Sequence, residues 1–315
     1  MTCKLAAIAI IGLTASAACM GTAAAAGSDL GEQNSLFDSK PRCVAVPSAS
    51  LTSRDLNWDD SDHVSLGVLG QASYTPGPDN KLHATGDPQI LAHLRVRNGI
   101  VELDCRGWRD RTKDMTITLP GRNFRKFELS GGKLALDRLD QNEAIIEIAG
   151  SGSVKANGRI GRLKLEIAGS GDTNFDSVAA READMDIAGS GSIKANGKID
   201  GLKIRIGGAG RAELGQMEIG NAKVQISGSG TIRAKGKIDD LAIGISGSGR
   251  ADFGQMQTRA AKVKVSGDGN IDIAPSEEAM IDVSGSGDIY LHSNPKQLET
   301  NISGSGRIHK VSAGG

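Results

Sequence analysis

The chain has 315 residues, 43 of them glycine, and only 3% aromatic side chains. Its 37 basic and 37 acidic residues cancel, which removes the positive field that nucleic-acid binding needs and gives no bulk attraction to a membrane surface. So few aromatics with so many glycines argue against a wide globular core and suit a thin, repetitive one.

Residues 1–26 read as a signal peptide. Lys4 gives a positive start, Leu5 to Leu13 an apolar stretch too short to span a bilayer, and Ala24, Ala25 and Ala26 a small-residue cleavage site before Gly27. The expectation is export to the periplasm or cell surface. The alternative is a lipoprotein anchored at Cys19, although Ser16, Ala17 and Ala18 lack the usual Leu three residues before the cysteine. Either way no transmembrane segment is expected in the mature chain. Cys43 and Cys105 remain, and a lone pair in an exported protein is expected to form a disulfide. His63, His83, His93, His292 and His309 stand at no ligand spacing, so neither metal nor cofactor is expected.

Residues 27–60 lack periodicity and read as a linker or irregular cap segment. Residues 61–130 read as an N-terminal β region leading into a solenoid and protecting its open end. Val64 to Leu69, Lys81 to Thr85, Leu91 to Val96, Ile100 to Leu103, Met115 to Leu119 and Phe127 to Leu129 are its candidate strands, with Asn98-Gly99 a hairpin turn.

Residues 131–315 are a repeat. A Gly-x-Gly triplet starts at Gly150, Gly169, Gly189, Gly208, Gly228, Gly247, Gly267, Gly285 and Gly304, every 18–20 residues. Apolar residues two and four positions before nearly every triplet define one buried strand face, as at Ile146 and Ile148. A period near 20 means stacked supersecondary units. The fold expected is all-β: a parallel β-helix of about nine coils, with the glycines at its corners. A second period of 39 residues alternates coils such as Ser-Ile-Lys-Ala-Asn-Gly with coils such as Arg-Ala-Glu-Leu-Gly-Gln-Met.

Several motifs together carry a family resemblance. They are Val64-Ser65-Leu66-Gly67-Val68, Tyr74-Thr75-Pro76-Gly77, Val96 to Leu103, Ile117 to Pro120, and the train of Ile-x-Gly-Ser-Gly copies. They resemble the auto-transporter adhesin head GIN domain family over roughly residues 60–306. That resemblance implies a right-handed parallel β-helix of the bacterial cell envelope and supplies no catalytic residues.

Nucleotide loops need a helix behind the glycines, and calcium repeats need aspartate in every copy; neither pattern is present, Asp268, Asn270 and Asp272 being a single instance. Glu147, Glu166 and Asp186 share one column, continued by Arg205, Gln225, Gly244, Lys264 and Asp282, and stacked carboxylates could act as an acid–base pair on a polysaccharide. Lys155, Asn174, Lys194, Glu213, Arg233, Asp252 and Asp272 form a second column, a ladder of alternating sign. Arg159, Lys198 and Lys237 recur on every second coil without acidic partners in view and form a candidate binding stripe. The function expected is a non-catalytic scaffold, adhesin-like or binding module, with an unknown envelope or surface partner, protein or glycan. The alternative is a polysaccharide-active lyase or hydrolase of the envelope.

Overall fold

A computed structural model describes residues 40–47 and 49–311. The signal segment, Cys19 and residues 27–39 of the expected linker lie outside the described residues. The chain begins with strands β1 (Ser53–Asn57), β2 (His63–Leu66), β3 (Gln71–Tyr74) and β4 (Lys81–Thr85). Helix α1 (Pro88–His93), β5 (Leu94–Arg97), β6 (Ile100–Leu103), β7 (Thr116–Thr118) and β8 (Lys126–Leu129) follow. Then come eight strands that each wrap most of a coil: β9 (Lys133–Gly150), β10 (Ser153–Gly169), β11 (Asp172–Gly189), β12 (Ser192–Gly208), β13 (Arg211–Gly228), β14 (Thr231–Gly247), β15 (Arg250–Gly267) and β16 (Asn270–Gly285). Strands β17 (Ile289–Leu291), β18 (Gln297–Gly304) and β19 (Ile308–Lys310) finish the stack. Successive coils pair in parallel, giving a β-solenoid of about ten turns, slightly more than the triplet count implies. Among the described residues no helix is long and apolar enough to cross a membrane.

Each coil has two arms. In β12 the first arm buries Ile193 and Ala195, the second Leu202, Ile204 and Ile206, with Ile199 between them. The apolar residues before the triplets point into one continuous core, except in the last coil, where Ile302 is exposed. The first triplet glycine has φ between 107° and 138° at every corner, a backbone region that favours glycine. A Cβ on Gly228 would lie 2.7 Å from the carbonyl oxygen of Gly208 in the coil below.

The 39-residue period has a structural cause. Ala156 pairs with Phe175, but Asn157 pairs with Ser177, so β11 carries one extra residue, Asp176, at its second corner. β13 carries the same excess against β12, where Ala195 faces Leu214 but Gly197 faces Met217. The intervening coils turn on Gly158, Gly197 and Gly236, all with positive φ. Asn196 Oδ1 accepts from the Gln216 N–H at the wide corner above, and Asn157 Oδ1 accepts from the Arg138 N–H below.

The N-terminal region departs from simple stacking. β2 and β3 form one turn of the solenoid, but β8, not β4, continues it: β2 pairs in parallel with β8, and β3 with β9. The intervening chain drops to the far side, where β6 pairs with β2 and β7 with β3. There the sheet turns antiparallel, β5 on β6, β4 on β7 and β1 on β4. These reversed strands close the parallel edge. The Asn98-Gly99 turn has φ of 48° and 71°, as a hairpin turn with both central residues at positive φ requires.

Three expectations fail in this region. Ser53–Asn57 is a strand inside the stretch read as aperiodic; its Arg54 donates to the carbonyls of Leu91, Ala92 and Leu94. Leu91 to Val96 is not one strand, because α1 occupies Pro88–His93, with the Asp87 carboxylate accepting from the Gln89 N–H and Pro88 in the first turn. Gln71–Tyr74, read as no element, is β3; Tyr74 is buried and packs on Phe124 and Phe127. Cys43 and Cys105 form the expected disulfide, which holds the first described residues against this cap.

Candidate binding face

The outer surface is set by register. On the first arm Lys155, Asn174, Lys194, Glu213, Arg233, Asp252 and Asp272 are neighbours up one column. Lys194 reaches Glu213 at 3.6 Å and Arg233 reaches Asp252 at 3.9 Å. Lys155 instead turns to the extra residue of the next coil, Asp176, at 2.7 Å, and that hydrogen bond raises its pKa. Asp272 meets His292 at 3.0 Å. This wall neutralises most of its own charge.

The corner stripe, expected to lack acidic partners, has them. Arg159 pairs in register with Asp140, and Lys198 with Glu218, which in turn faces Lys237. Arg159 lies 3.7 Å from Asp140 and Lys198 3.0 Å from Glu218. The hydrogen bond that Lys198 donates to Glu218 raises the lysine pKa. Counting residues from the triplet misses these partners because the wide corners shift the numbering by one.

On the second arm Glu128, Glu147, Glu166 and Asp186 do stack, strand upon strand. Each has a cation. Lys126 lies 2.6 Å from Glu128 and 3.0 Å from Glu147, and Lys164 lies 2.6 Å from Glu166. Arg205 binds Asp186, and Asp184 at 2.8 Å. The hydrogen bond to Asp186 raises the Arg205 pKa above its usual value, and that to Glu166 raises Lys164. These contacts engage the carboxylate oxygens that an acid–base pair would turn toward a substrate.

The same arm changes character further along. Lys223, Ala242 and Lys262 are successive in one column, and Gln225, Gly244 and Lys264 in the next. Serines 227, 246 and 266 follow in a third. Lys223, Lys262 and Lys264 are exposed. Among the described residues none of these lysines has an ion-pair or hydrogen-bond partner. Gln225, Gly244 and Lys264 are visible as a column in the sequence, but nothing there singles them out.

Other chemistry is occupied. His93, Asp104 and Cys105 lie together, but the sulfur is in the disulfide and Asp104 binds His93 and Arg95 at 2.8 and 2.6 Å. The remaining histidines each lie beside an aspartate, as His83 does 2.7 Å from Asp55.

The fold and its outer faces define a β-solenoid that presents flat walls built from charged columns. The chain belongs to the family described as "Putative auto-transporter adhesin, head GIN domain", which it matches over residues 62–200 and 193–295. Among solved structures it is similar to a "putative adhesin" from Parabacteroides distasonis, at 16% identity and a TM-score of 0.58, covering 84% of this chain and 98% of that one. A "Putative lipid binding protein" from the same organism has 18% identity and a TM-score of 0.45, covering 82% of this chain and 96% of that one. At these identities the likeness concerns the fold alone. No curated protein matches.

Proposed function

We propose that the chain is an exported cell-envelope protein whose solenoid acts as a non-catalytic scaffold or binding module. The observation that supports this reading is the state of its best catalytic candidates. Glu147, Glu166 and Asp186 each contact a cation. Among the described residues, the side chains around Glu128, Glu147 and Glu166, such as Ser65, Ile100 and Ile148, include no aromatic ring that could serve as a sugar platform. Membership of a family named for adhesins agrees with a binding role.

The test is incubation of the purified protein with a panel of acidic and neutral polysaccharides, following new chain ends. No release is expected. Release that Glu166→Gln abolishes would replace this reading with the enzymatic one. N-terminal sequencing of the protein from envelope fractions is expected to start at Gly27; an unprocessed chain in the cytoplasm would overturn export.

A further inference from the structure

The cation balance of the second arm is uneven along the solenoid. From β8 to β12 the columns hold cations and acids in contact, such as Lys126 with Glu128 and Arg205 with Asp186. From β13 to β15 the same positions hold Lys223, Gln225, Ala242, Gly244, Lys262 and Lys264. Nothing acidic stands among them. Asp282 is one strand beyond Lys264, outside ion-pair distance, and Asp240 at the nearby corner is bound by Arg259.

The middle row is also low. Ala242 and Gly244 have almost no side chain, and a Cβ on Gly244 would meet nothing within 4 Å. Parallel strands are about 4.8 Å apart, so the Lys223 and Lys262 rows flank a slot roughly 10 Å wide. Ser246 continues its floor, with Ser227 and Ser266 on either side. The slot has a backbone floor, cationic walls and hydroxyl groups at one end.

We propose that this slot binds a linear anionic glycan, with the sugar chain along Ala242, Gly244 and Ser246 and its carboxylates against Lys223, Lys262 and Lys264. This rests on the binding-module reading and names its ligand class. Exposed lysines hold a single small anion weakly, because water screens each contact. A chain with repeated carboxylates gains by engaging several at once, since each contact after the first is intramolecular.

The experiment measures binding of an oligogalacturonate to the full-length protein at low and moderate salt. Its fully methyl-esterified form and inorganic phosphate are the comparison probes. The acid form is expected to bind, the ester at least about tenfold more weakly, and salt to weaken the acid form. The Lys223→Gln, Lys262→Gln, Lys264→Gln triple variant is expected to lose roughly tenfold, the scale of a few exposed charge contacts. Gly244→Glu should lose as much while keeping the wild-type melting temperature, since the space it enters is open. Lys155→Gln, on the self-neutralised wall of the first arm, should bind as wild type. Equal binding of ester and acid, an unaffected triple variant, or displacement by equimolar phosphate would each overturn the proposal. Shortening of the bound oligomer would refute the non-catalytic reading and leave the slot standing.

Discussion

Two glycines of the same strand are expected to respond to alanine in opposite directions. Gly236 sits at the tight corner of β14 with φ of 119°, and an added Cβ would lie 2.0 Å from the Met217 carbonyl oxygen and 2.8 Å from its nitrogen. Both obstacles are backbone of the coil below, which cannot rotate away. The backbone strain costs about 1–3 kcal/mol, and forcing neighbouring coils apart adds about 1–3 kcal/mol. Gly244 lies further along the same strand, has no positive φ, and leaves its Cβ position open. Alanine there restricts the unfolded chain and should stabilise by about 0.4–1 kcal/mol. At about 2–4 °C per kcal/mol for a chain of this size, Gly236→Ala should melt at least about 4 °C lower and Gly244→Ala slightly higher. Thermal unfolding followed by circular dichroism reads both. Equal melting temperatures for the two variants would refute the claim that stacking geometry selects glycine at the corners.

Reversing Glu213 to lysine should lower the melting temperature slightly at low salt, by about 0.2–1 kcal/mol per lost pair, because it puts a cation between Lys194 and Arg233. Adding Lys194→Glu, Arg233→Glu and Asp252→Lys restores alternation and should recover it; a further fall would make the ladder incidental. Reducing the Cys43–Cys105 bond, which spans 62 residues, should cost about 2–5 kcal/mol. Alkylation mass analysis that finds two free thiols in the native protein would remove that expectation.

Much of the solenoid is readable from residues because stacking repeats the same demand on every coil. Ile187, Ile206, Ile226 and Ile245 occupy equivalent buried positions, and each is followed two residues later by a corner glycine. Periodicity fails where a local choice interrupts the repeat. The extra residue at Asp176 moves later positions by one, and such shifts hide Asp140 and Glu218 from a count that starts at the triplet. The insertion that sends β6 and β7 beneath β2 and β3 is a matter of long-range pairing, and no spacing records it. Helix α1 was within reach, since Asp87-Pro88 is a helix-start signal. The lysine slot was not, because an unpaired charge is defined by the neighbours that register brings to it.

The alternation of wide and tight corners sets the unit in which such a protein can change length. Removing residues 189–227 takes out one wide and one tight coil and sets β14, with its tight Gly236 corner, on the wide corner of β11. Removing only residues 189–207 sets β13 directly on β11, wide corner upon wide corner, without the Asn196 carboxamide that Gln216 uses. The first deletion should give a shorter rod and the second a fault in mid-stack. A lineage of these chains would then gain and lose coils in pairs, and the number of charged rungs on each wall would grow by twos with it.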